Sequence, residues 1–134
     1  MGSGREAMNL VLDRGLAYAT IAITYRSASI RVERILVDTG SQSTVLAADS
    51  VALAGIEYEL GDRIETIRGV GGREFVFTRT IDRILLGKRE LSPFQIEVGG
   101  MDYGFPINGI LGMDFLVPSG AIIDLAEMMI RFKG

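Results

Sequence analysis

The segment that decides the fold is Ile35-Leu36-Val37-Asp38-Thr39-Gly40-Ser41, in which an acidic residue directly follows an apolar run. The apolar run predicts a strand that enters the interior of the protein and ends at Asp38. A carboxylate is costly to bury without partners, but Gly40 permits a tight turn whose backbone N–H groups approach it, and Thr39 supplies a hydroxyl. Taken alone, these three residues are more typical of an ordinary Asp-initiated turn, so the rest of the chain must decide between the two interpretations.

Around this segment the sequence predicts short strands separated by turns. The predicted strands cover residues 17–24, 30–37, 63–68, 73–79, 81–86, 91–98, 121–125 and 128–132. A helix of about two to three turns is predicted over residues 43–55, with Ser43 or Thr44 as its N-cap and Gly55 at its end. A hairpin is expected at Gly87-Lys88. This pattern predicts an all-β fold, a closed β-barrel with one or two short helices.

The composition narrows the chemistry that the chain can perform. Its 134 residues suggest one domain, which we divide into an N-terminal segment of residues 1–14, opened by a tag-like Met1-Gly2-Ser3-Gly4, and a folded domain of residues 15–134. The chain has no histidine and no cysteine, which excludes Ser-His-Asp triads, thiol nucleophiles and His- or Cys-ligated zinc. Acid–base chemistry must therefore come from carboxylates, lysine or tyrosine, and we predict neither a metal nor a cofactor.

Charge and hydropathy limit the expected partners. With 17 acidic residues against 14 basic ones and no basic run longer than two residues, nucleic acid is not expected as a partner. No apolar stretch approaches the length of a bilayer span and the chain does not open with a signal-peptide pattern, so we predict no membrane association for this fragment. The absence of cysteine fits a reducing compartment, and we predict a cytoplasmic location.

Two segments resemble the signatures of the retropepsin-like aspartic proteases, the single-domain relatives of half a pepsin. The first is Asp38-Thr39-Gly40-Ser41-Gln42-Ser43-Thr44-Val45-Leu46, and the second is Ile110-Leu111-Gly112-Met113-Asp114-Phe115-Leu116, in which a glycine opens a short helix. Between them lies Gly69-Val70-Gly71-Gly72, where the family carries its flap. The resemblance implies an aspartic endopeptidase of retropepsin fold that acts on a peptide or protein substrate, with Asp38, Thr39 and Gly40 at its catalytic centre.

Peptide hydrolysis without a metal or a covalent nucleophile needs two carboxylates held close together. Such a pair shares a proton, so that one member acts as a general base on water while the other donates to the carbonyl oxygen. No other Asp in the chain is followed by Thr-Gly or Ser-Gly. The second carboxylate must therefore come from a second chain, and we predict a symmetric homodimer with one Asp38 from each subunit. By resemblance, Thr39 hydrogen-bonds across the same axis.

The glycine-rich segment Gly69-Val70-Gly71-Gly72 is predicted to form the tip of a mobile hairpin. It does not match GxGxxG, and the residues after it alternate like a strand, which argues against a phosphate cradle. The resemblance implies that this hairpin is a flap whose backbone amides bind the substrate and whose closure excludes water. Ile67 and Val70 would line its covering surface, although ordinary hairpin packing also accounts for them.

Further substrate contacts are assigned to Ser41, Gln42 and Ile110. Retroviral members of the family usually have two acidic residues where this chain has Gln42 and Ser43, and an arginine that pairs with one of them where it has Met113. Both members of this ion pair are therefore absent, and we expect the substrate specificity to differ from that of the retroviral members. We also expect the Ser41 hydroxyl to hydrogen-bond to the catalytic carboxylate.

Several apolar and acidic residues near the signatures allow two interpretations each. Val45, Leu46 and Ile110 line an apolar substrate subsite or simply fill the barrel. Asp114 is interpreted as a helix cap or an ion-pair partner. The strand at residues 128–132 is expected to pair at the dimer interface, because an apolar terminal strand left unpaired invites association.

Two alternatives to an active protease stay open. The first is a non-catalytic dimerisation or peptide-binding module that keeps the fold without turnover, since possession of a motif is not activity. The second is a protease that acts only when tethered in a longer polypeptide, which it processes itself.

Overall fold

The computed structural model describes residues 7–69 and 72–134, which form a mostly β domain. Their strands are β1 (Ala7–Asn9), β2 (Val11–Asp13), β3 (Leu16–Tyr25), β4 (Ala28–Val37), β5 (Val45–Ala47), β6 (Ile64–Gly69), β7 (Gly72–Ile81), β8 (Arg83–Leu86), β9 (Arg89–Leu91), β10 (Phe94–Gly99), β11 (Gly109–Leu111), β12 (Ala121–Asp124) and β13 (Met129–Phe132). Their helices are α1 (Ala48–Val51), α2 (Met113–Leu116) and a 3-10 helix (Ala52–Ala54). Within the described ranges, no helix has the length and apolar character needed to cross a bilayer.

Most of the strands belong to one large mixed sheet. Its order is β6-β7-β10-β5-β11-β4-β3-β8-β9, with β2 paired to β3, and a second sheet has the order β1-β13-β12. The predicted closed barrel is not found over the described residues. Closure would require hydrogen bonds between β6 and β9, the strands at the two ends of the large sheet. Among the described residues β6 pairs with β7 and β9 pairs with β8, and β6 and β9 do not pair with each other. The expected hairpin at Gly87-Lys88 is confirmed as the β8–β9 connection.

The centre of the large sheet positions the residues that follow β4. β11 lies between β4, to which it is parallel, and β5, to which it is antiparallel. The chain that leaves β4 therefore passes the end of β11, over residues 38–44, before it re-enters the sheet as β5. Asp38 lies at the carboxyl end of β4, as the sequence predicts. This crossing brings the Asp38 turn against the residues that follow β11.

Apolar side chains pack on both faces of the large sheet. One cluster contains Ile35, Leu46 and Leu111, and a smaller cluster contains Leu36, Val45 and Ile110. Sequence neighbours fall into different clusters because successive side chains of a strand point to opposite faces. The core is therefore split by the sheet, and its smaller part supports the face on which Val45 and Ile110 lie.

The helix predicted over residues 43–55 is wrong in its first half. Val45–Ala47 forms β5, which pairs with β10 on one side and β11 on the other, and these tertiary pairings outweigh the helical spacing of the apolar residues. Helical structure follows only after β5, and neither Ser43 nor Thr44 caps it. The predicted end is confirmed, since Gly55 terminates the 3-10 helix with a φ of 81°.

The C-terminal strand is confirmed, but its expected role in dimerisation is not. β13 pairs with β1 through Ala7↔Arg131 and with β12 through Ala121↔Phe132. Both hydrogen-bonding edges of β13 are thus used within the chain. A second chain therefore has no free edge of β13 with which to pair.

Candidate active site

Asp38 is half-buried and begins a tight turn at the end of β4. Its backbone N donates to the carbonyl oxygen of Leu111 at 3.0 Å, which fixes the turn to β11. Gly40 N donates to Asp38 Oδ1 at 2.9 Å, and Ser41 N donates to the carbonyl oxygen of Asp38 at 3.2 Å. A Cβ on Gly40 would lie 3.3 Å from Asp38 Oδ1, so glycine permits this close approach. The carboxylate is held by a backbone amide, as the sequence predicts.

The hydroxyl groups of Ser41 and Thr39, beside this turn, have different surroundings. Ser41 Oγ donates to the carbonyl oxygen of Ser43 at 2.8 Å, so the predicted hydrogen bond from this hydroxyl to Asp38 is wrong. The chain bends back immediately after the turn, which brings a backbone acceptor closer to the hydroxyl than the carboxylate is. Thr39 is exposed, and its hydroxyl is accessible to a group outside this chain.

The second signature supports the turn through backbone contacts. Met113 N donates to the carbonyl oxygen of Ser41 at 2.8 Å, and Asp114 N donates to that of Gln42 at 3.2 Å. A Cβ on Gly112 would clash with the carbonyl oxygen of Ser43, so the backbone would have to move. A glycine is therefore required where the chain after β11 passes under the Asp38 turn.

A buried side-chain network locks the same two segments together. Thr44 Oγ1 donates to Asp114 Oδ1 at 2.7 Å, and Thr44 N donates to Asp114 Oδ2 at 3.0 Å. Gly112 N in turn donates to Thr44 Oγ1 at 3.1 Å. Asp114 therefore joins α2 to the loop before β5, whereas the sequence suggested a helix cap or an ion-pair partner.

A cleft of about 450 Å³ opens beside Asp38. It is lined by Asp38, Gly40, Ser41, Gln42, Ser43, Val45, Glu65, Thr66, Ile67, Glu97 and Ile110. Six of these residues were assigned to the site from the sequence: Asp38, Gly40, Ser41, Gln42, Ile67 and Ile110. The structure thus brings the Asp38 turn, one strand of the predicted hairpin and one residue of the second signature to a single cleft.

Other residues assigned from the sequence lie elsewhere. Leu46 is fully buried in the larger core cluster, so it fills the core rather than lining a subsite. Gly69 and Gly72 face each other as the last pair of the β6–β7 hairpin, and Gly72 is not among the residues that line the cleft. Val70 and Gly71, the expected flap tip, lie outside the described residues.

The sequence does not single out Glu65, Thr66 or Glu97 as cleft residues, and the most buried of them is Glu97. Its side chain is only 8% exposed, and its carboxylate Oε1 accepts a hydrogen bond from Ser43 Oγ at 2.8 Å. Burial raises the pKa of Glu97, the Ser43 hydroxyl opposes this shift, and the carboxylates of Glu65 and Asp114 add to it. A partly buried acid therefore lies in the same cleft as Asp38.

The signal for Glu97 in the sequence is weak. It lies on the same side of β10 as Gln95, which is exposed, so alternation alone suggests a solvent-facing glutamate. The side chain is buried because this end of β10 runs between β7 and β5. Periodicity identifies the face of a strand but does not show which part of that face is covered by neighbouring strands.

The β6–β7 hairpin is fixed to the rest of the domain by Glu74. Met101 N donates to Glu74 Oε2 at 2.8 Å, and the Tyr103 hydroxyl donates to Glu74 Oε1 at 2.9 Å. Burial and the hydrogen bond to this carboxylate raise the pKa of Tyr103 to about 12, so the phenol stays protonated and remains a donor. The second strand of the hairpin is thereby tied to the segment that follows β10.

Across residues 7–69 and 72–134, no group of three or more acidic side chains is arranged so that it could hold a metal ion. The chemistry available at the cleft is that of carboxylates, hydroxyls and backbone amides.

The fold is that of the retropepsin-like aspartic proteases. A family model described as "gag-polyprotein putative aspartyl protease" matches residues 29–117, and the chain belongs to this family. The matched range includes Asp38, the β6–β7 hairpin and Gly112, the parts that the sequence analysis had singled out.

The solved structures agree with the family assignment. The chain is similar to a retropepsin-like aspartic protease from Rickettsia conorii with a TM-score of 0.61 and 22% sequence identity, and the match covers 95% of this chain and 98% of that chain. At this identity the similarity shows the fold. No curated protein matches the chain in sequence.

Proposed function

We propose that this protein is an aspartic endopeptidase that acts as a homodimer, with Asp38 of each subunit forming the catalytic pair. The observation that carries the proposal is the position of Asp38, half-buried in a turn, held by Gly40 N–H at 2.9 Å and open to a cleft of about 450 Å³. Membership of the aspartyl protease family supports the same activity.

The reaction requires the two Asp38 carboxylates to share one proton. The ionised carboxylate removes a proton from a water molecule, which attacks the peptide carbonyl, while the protonated carboxylic acid donates to the carbonyl oxygen. Collapse of the tetrahedral intermediate then breaks the C–N bond. The amine takes a proton from one carboxylic acid, and a hydroxyl of the intermediate returns a proton to the other carboxylate, so the pair again holds one proton.

A second chain is needed because the catalytic pair requires two carboxylates held as Asp38 is, and each chain contributes one Asp38 turn. The other carboxylates that line the cleft, Glu65 and Glu97, belong to strands β6 and β10 and are not held by a tight turn. Glu97 is moreover hydrogen-bonded to Ser43 Oγ. A twofold axis beside Asp38 would bring two identical turns together, and the exposed Thr39 hydroxyl would then reach the partner subunit.

The β6–β7 hairpin is proposed to act as the flap. Ile67 of β6 already lines the cleft, and the positive φ of 99° at Gly72 allows the chain to reverse at the tip. Closure of this hairpin over a bound peptide would exclude water and fix the scissile bond. Backbone amides of Gly69, Val70, Gly71 and Gly72 would then bind the substrate.

The opposite wall of the cleft would bind the substrate backbone and its apolar side chains. Ser41 and Gln42 follow directly after the Asp38 turn and offer backbone and side-chain polar groups. Val45 and Ile110 provide an apolar surface that is continuous with the smaller core cluster. This combination fits an extended peptide better than a small polar ligand.

The test is the Asp38→Asn variant, with Asp49→Asn as a matched control because Asp49 is exposed on α1, outside the cleft. A broad peptide library is digested with each variant across acidic to neutral pH, and the products are identified by mass spectrometry. We expect the wild type and Asp49→Asn to release the same products and Asp38→Asn to release none. Cleavage by Asp38→Asn would refute the proposal, and peptide binding by the wild type without cleavage would favour the non-catalytic module.

A further inference from the structure

The cleft carries an uncompensated negative charge. Among the described residues that line it, three are carboxylates, Asp38, Glu65 and Glu97, and none is Lys or Arg. Glu65 has a distant partner, Arg63 Nε at 3.9 Å, whose side chain is 80% exposed. Because the pair is long and the guanidinium lies in solvent, Arg63 neutralises the Glu65 carboxylate only weakly.

Glu97 is more buried than Asp62 and Asp124, two half-buried acids of the domain that each have an arginine partner. Asp62 pairs with Arg79 at 2.7 Å, and Asp124 pairs with Arg131 at 3.2 Å. The charged groups that act on Glu97 are instead the carboxylates of Glu65 and Asp114, and its one hydrogen bond from a side chain comes from a neutral hydroxyl. Burial of an ionised carboxylate beside like charges is unfavourable, and either a proton or a neighbouring cation can neutralise it.

The strand register places the two glutamates on the same face of the sheet. Glu65 lies opposite Val76, and Glu97 lies opposite Thr78. Directly opposed residues share a face, as do residues two apart in one strand, so Glu65 and Glu97 face the cleft from either side of β7. Ser43, whose hydroxyl donates to Glu97 Oε1 at 2.8 Å, lines the same cleft.

We propose that Glu97, with Glu65 at the rim, forms a subsite that selects a basic side chain, lysine or arginine, of the substrate peptide. The proposal rests on the function proposed above, since it takes the cleft beside Asp38 as the substrate cleft. An ammonium or guanidinium group would supply the cation that the cleft lacks and would bind the carboxylate by charge-assisted hydrogen bonds. The hydrocarbon stem of the same side chain would pack on Val45 and Ile110.

The experiment compares matched peptides that differ only by lysine or norleucine at one position, scanned along a cleaved sequence. For the wild type, kcat/KM should be about tenfold higher for lysine than for norleucine at one position, and high salt should reduce this preference. Glu97→Gln should lower kcat/KM for the lysine peptide by about tenfold and leave the norleucine peptide within about twofold. Glu90→Gln, on the exposed side of β9, serves as the control and should change neither value.

Two outcomes would overturn the subsite while leaving the protease intact: cleavage without any preference for a basic residue, or a preference that survives in Glu97→Gln. If Glu97→Gln does not fold, Glu65→Gln is measured in its place. The logarithm of the ratio of kcat/KM for the lysine peptide to that for the norleucine peptide should then be about half of its wild-type value. Binding of the lysine and norleucine peptides to Asp38→Asn, measured by calorimetry, separates the two proposals. Selective binding of lysine there would support the subsite even if the wild type cleaved nothing, and equal binding would refute it.

Discussion

Thr44 and Asp114 are joined by two hydrogen bonds, from Thr44 Oγ1 at 2.7 Å and from Thr44 N at 3.0 Å. They are 70 residues apart in the sequence, and the link holds the loop that follows Asp38 against α2. Because Thr44 is fully buried, each of its polar groups must find a partner within the protein. The position of the candidate catalytic turn thus depends on a pair that lies outside the cleft.

Thr44→Val should lower the free energy of unfolding by about 2 kcal/mol, since it removes one hydrogen bond to Asp114 and leaves the buried Gly112 N–H without its acceptor. Valine has nearly the same shape, so packing is little changed. The measurement is equilibrium denaturation in urea. Thr80→Val on the exposed side of β7 is the control and should shift stability by less than about 0.5 kcal/mol. A loss for Thr44→Val no greater than that of the control would show that this network does not stabilise the fold.

Gly112→Ala should be more damaging, because its Cβ would clash with the carbonyl oxygen of Ser43 and lie 2.9 Å from that of Ser41. The contacts are with backbone atoms of the Asp38 turn, which cannot rotate away. We expect a loss of about 3 kcal/mol in stability and a further loss of activity in the protein that remains folded. Gly100→Ala, whose Cβ would make an ordinary contact at 3.5 Å, should fold like the wild type. Equal stability of the two variants would contradict this account.

The sequence predicts the parts of the fold that depend on local pattern. Asp38 at the end of an apolar strand, α2 after Gly112 and the end of the helical segment at Gly55 all follow from periodicity and glycine placement. Six of the cleft residues could be named because both signatures and the hairpin were recognised in order. These elements need only short-range information or motif spacing.

What could not be predicted depends on tertiary neighbours. β5 is a strand only because β10 and β11 flank it, although its residues have helical spacing with those that follow. Glu97 is buried only because neighbouring strands cover that end of β10, and the partner of Ser41 Oγ is set by how the chain bends after the turn. The closed barrel was inferred from strand number, which does not determine whether the first and last strands of a sheet meet.

A mixing experiment tests whether the active unit needs one Asp38 from each subunit. If a fixed amount of wild-type chain exchanges subunits freely with an equal amount of Asp38→Asn, random pairing leaves about half of the wild-type chains in wild-type dimers. Activity per wild-type chain should therefore fall to about half, and further with excess variant. Asp49→Asn, mixed in the same way, should not reduce activity. Activity that is unchanged by excess Asp38→Asn, under conditions where hetero-dimers are detected by mass spectrometry, would exclude a shared catalytic pair.

The stability of the domain should depend on pH through Glu97. Burial raises the pKa of Glu97 above its ordinary value of 4.5, so the folded chain holds this proton more tightly than the unfolded chain does. The contribution of Glu97 to stability is therefore fully present below about pH 4.5 and is lost as the pH rises through the pKa of the folded state. Glutamine does not titrate, so the unfolding free energy of the wild type, measured relative to Glu97→Gln, should decrease over this range and then level off.

Ser43→Ala provides an internal control for this pH dependence. The Ser43 hydroxyl donates to Glu97 Oε1 at 2.8 Å and favours the ionised carboxylate, so its removal should raise the pKa of Glu97 further. The decrease in relative stability should then extend to higher pH in the Ser43→Ala background than in the wild type. Urea denaturation at a series of pH values measures both effects. A stability difference that stays constant with pH in both backgrounds would mean that burial does not raise the pKa of Glu97. It would also weaken the argument that the basic subsite is needed to neutralise this carboxylate.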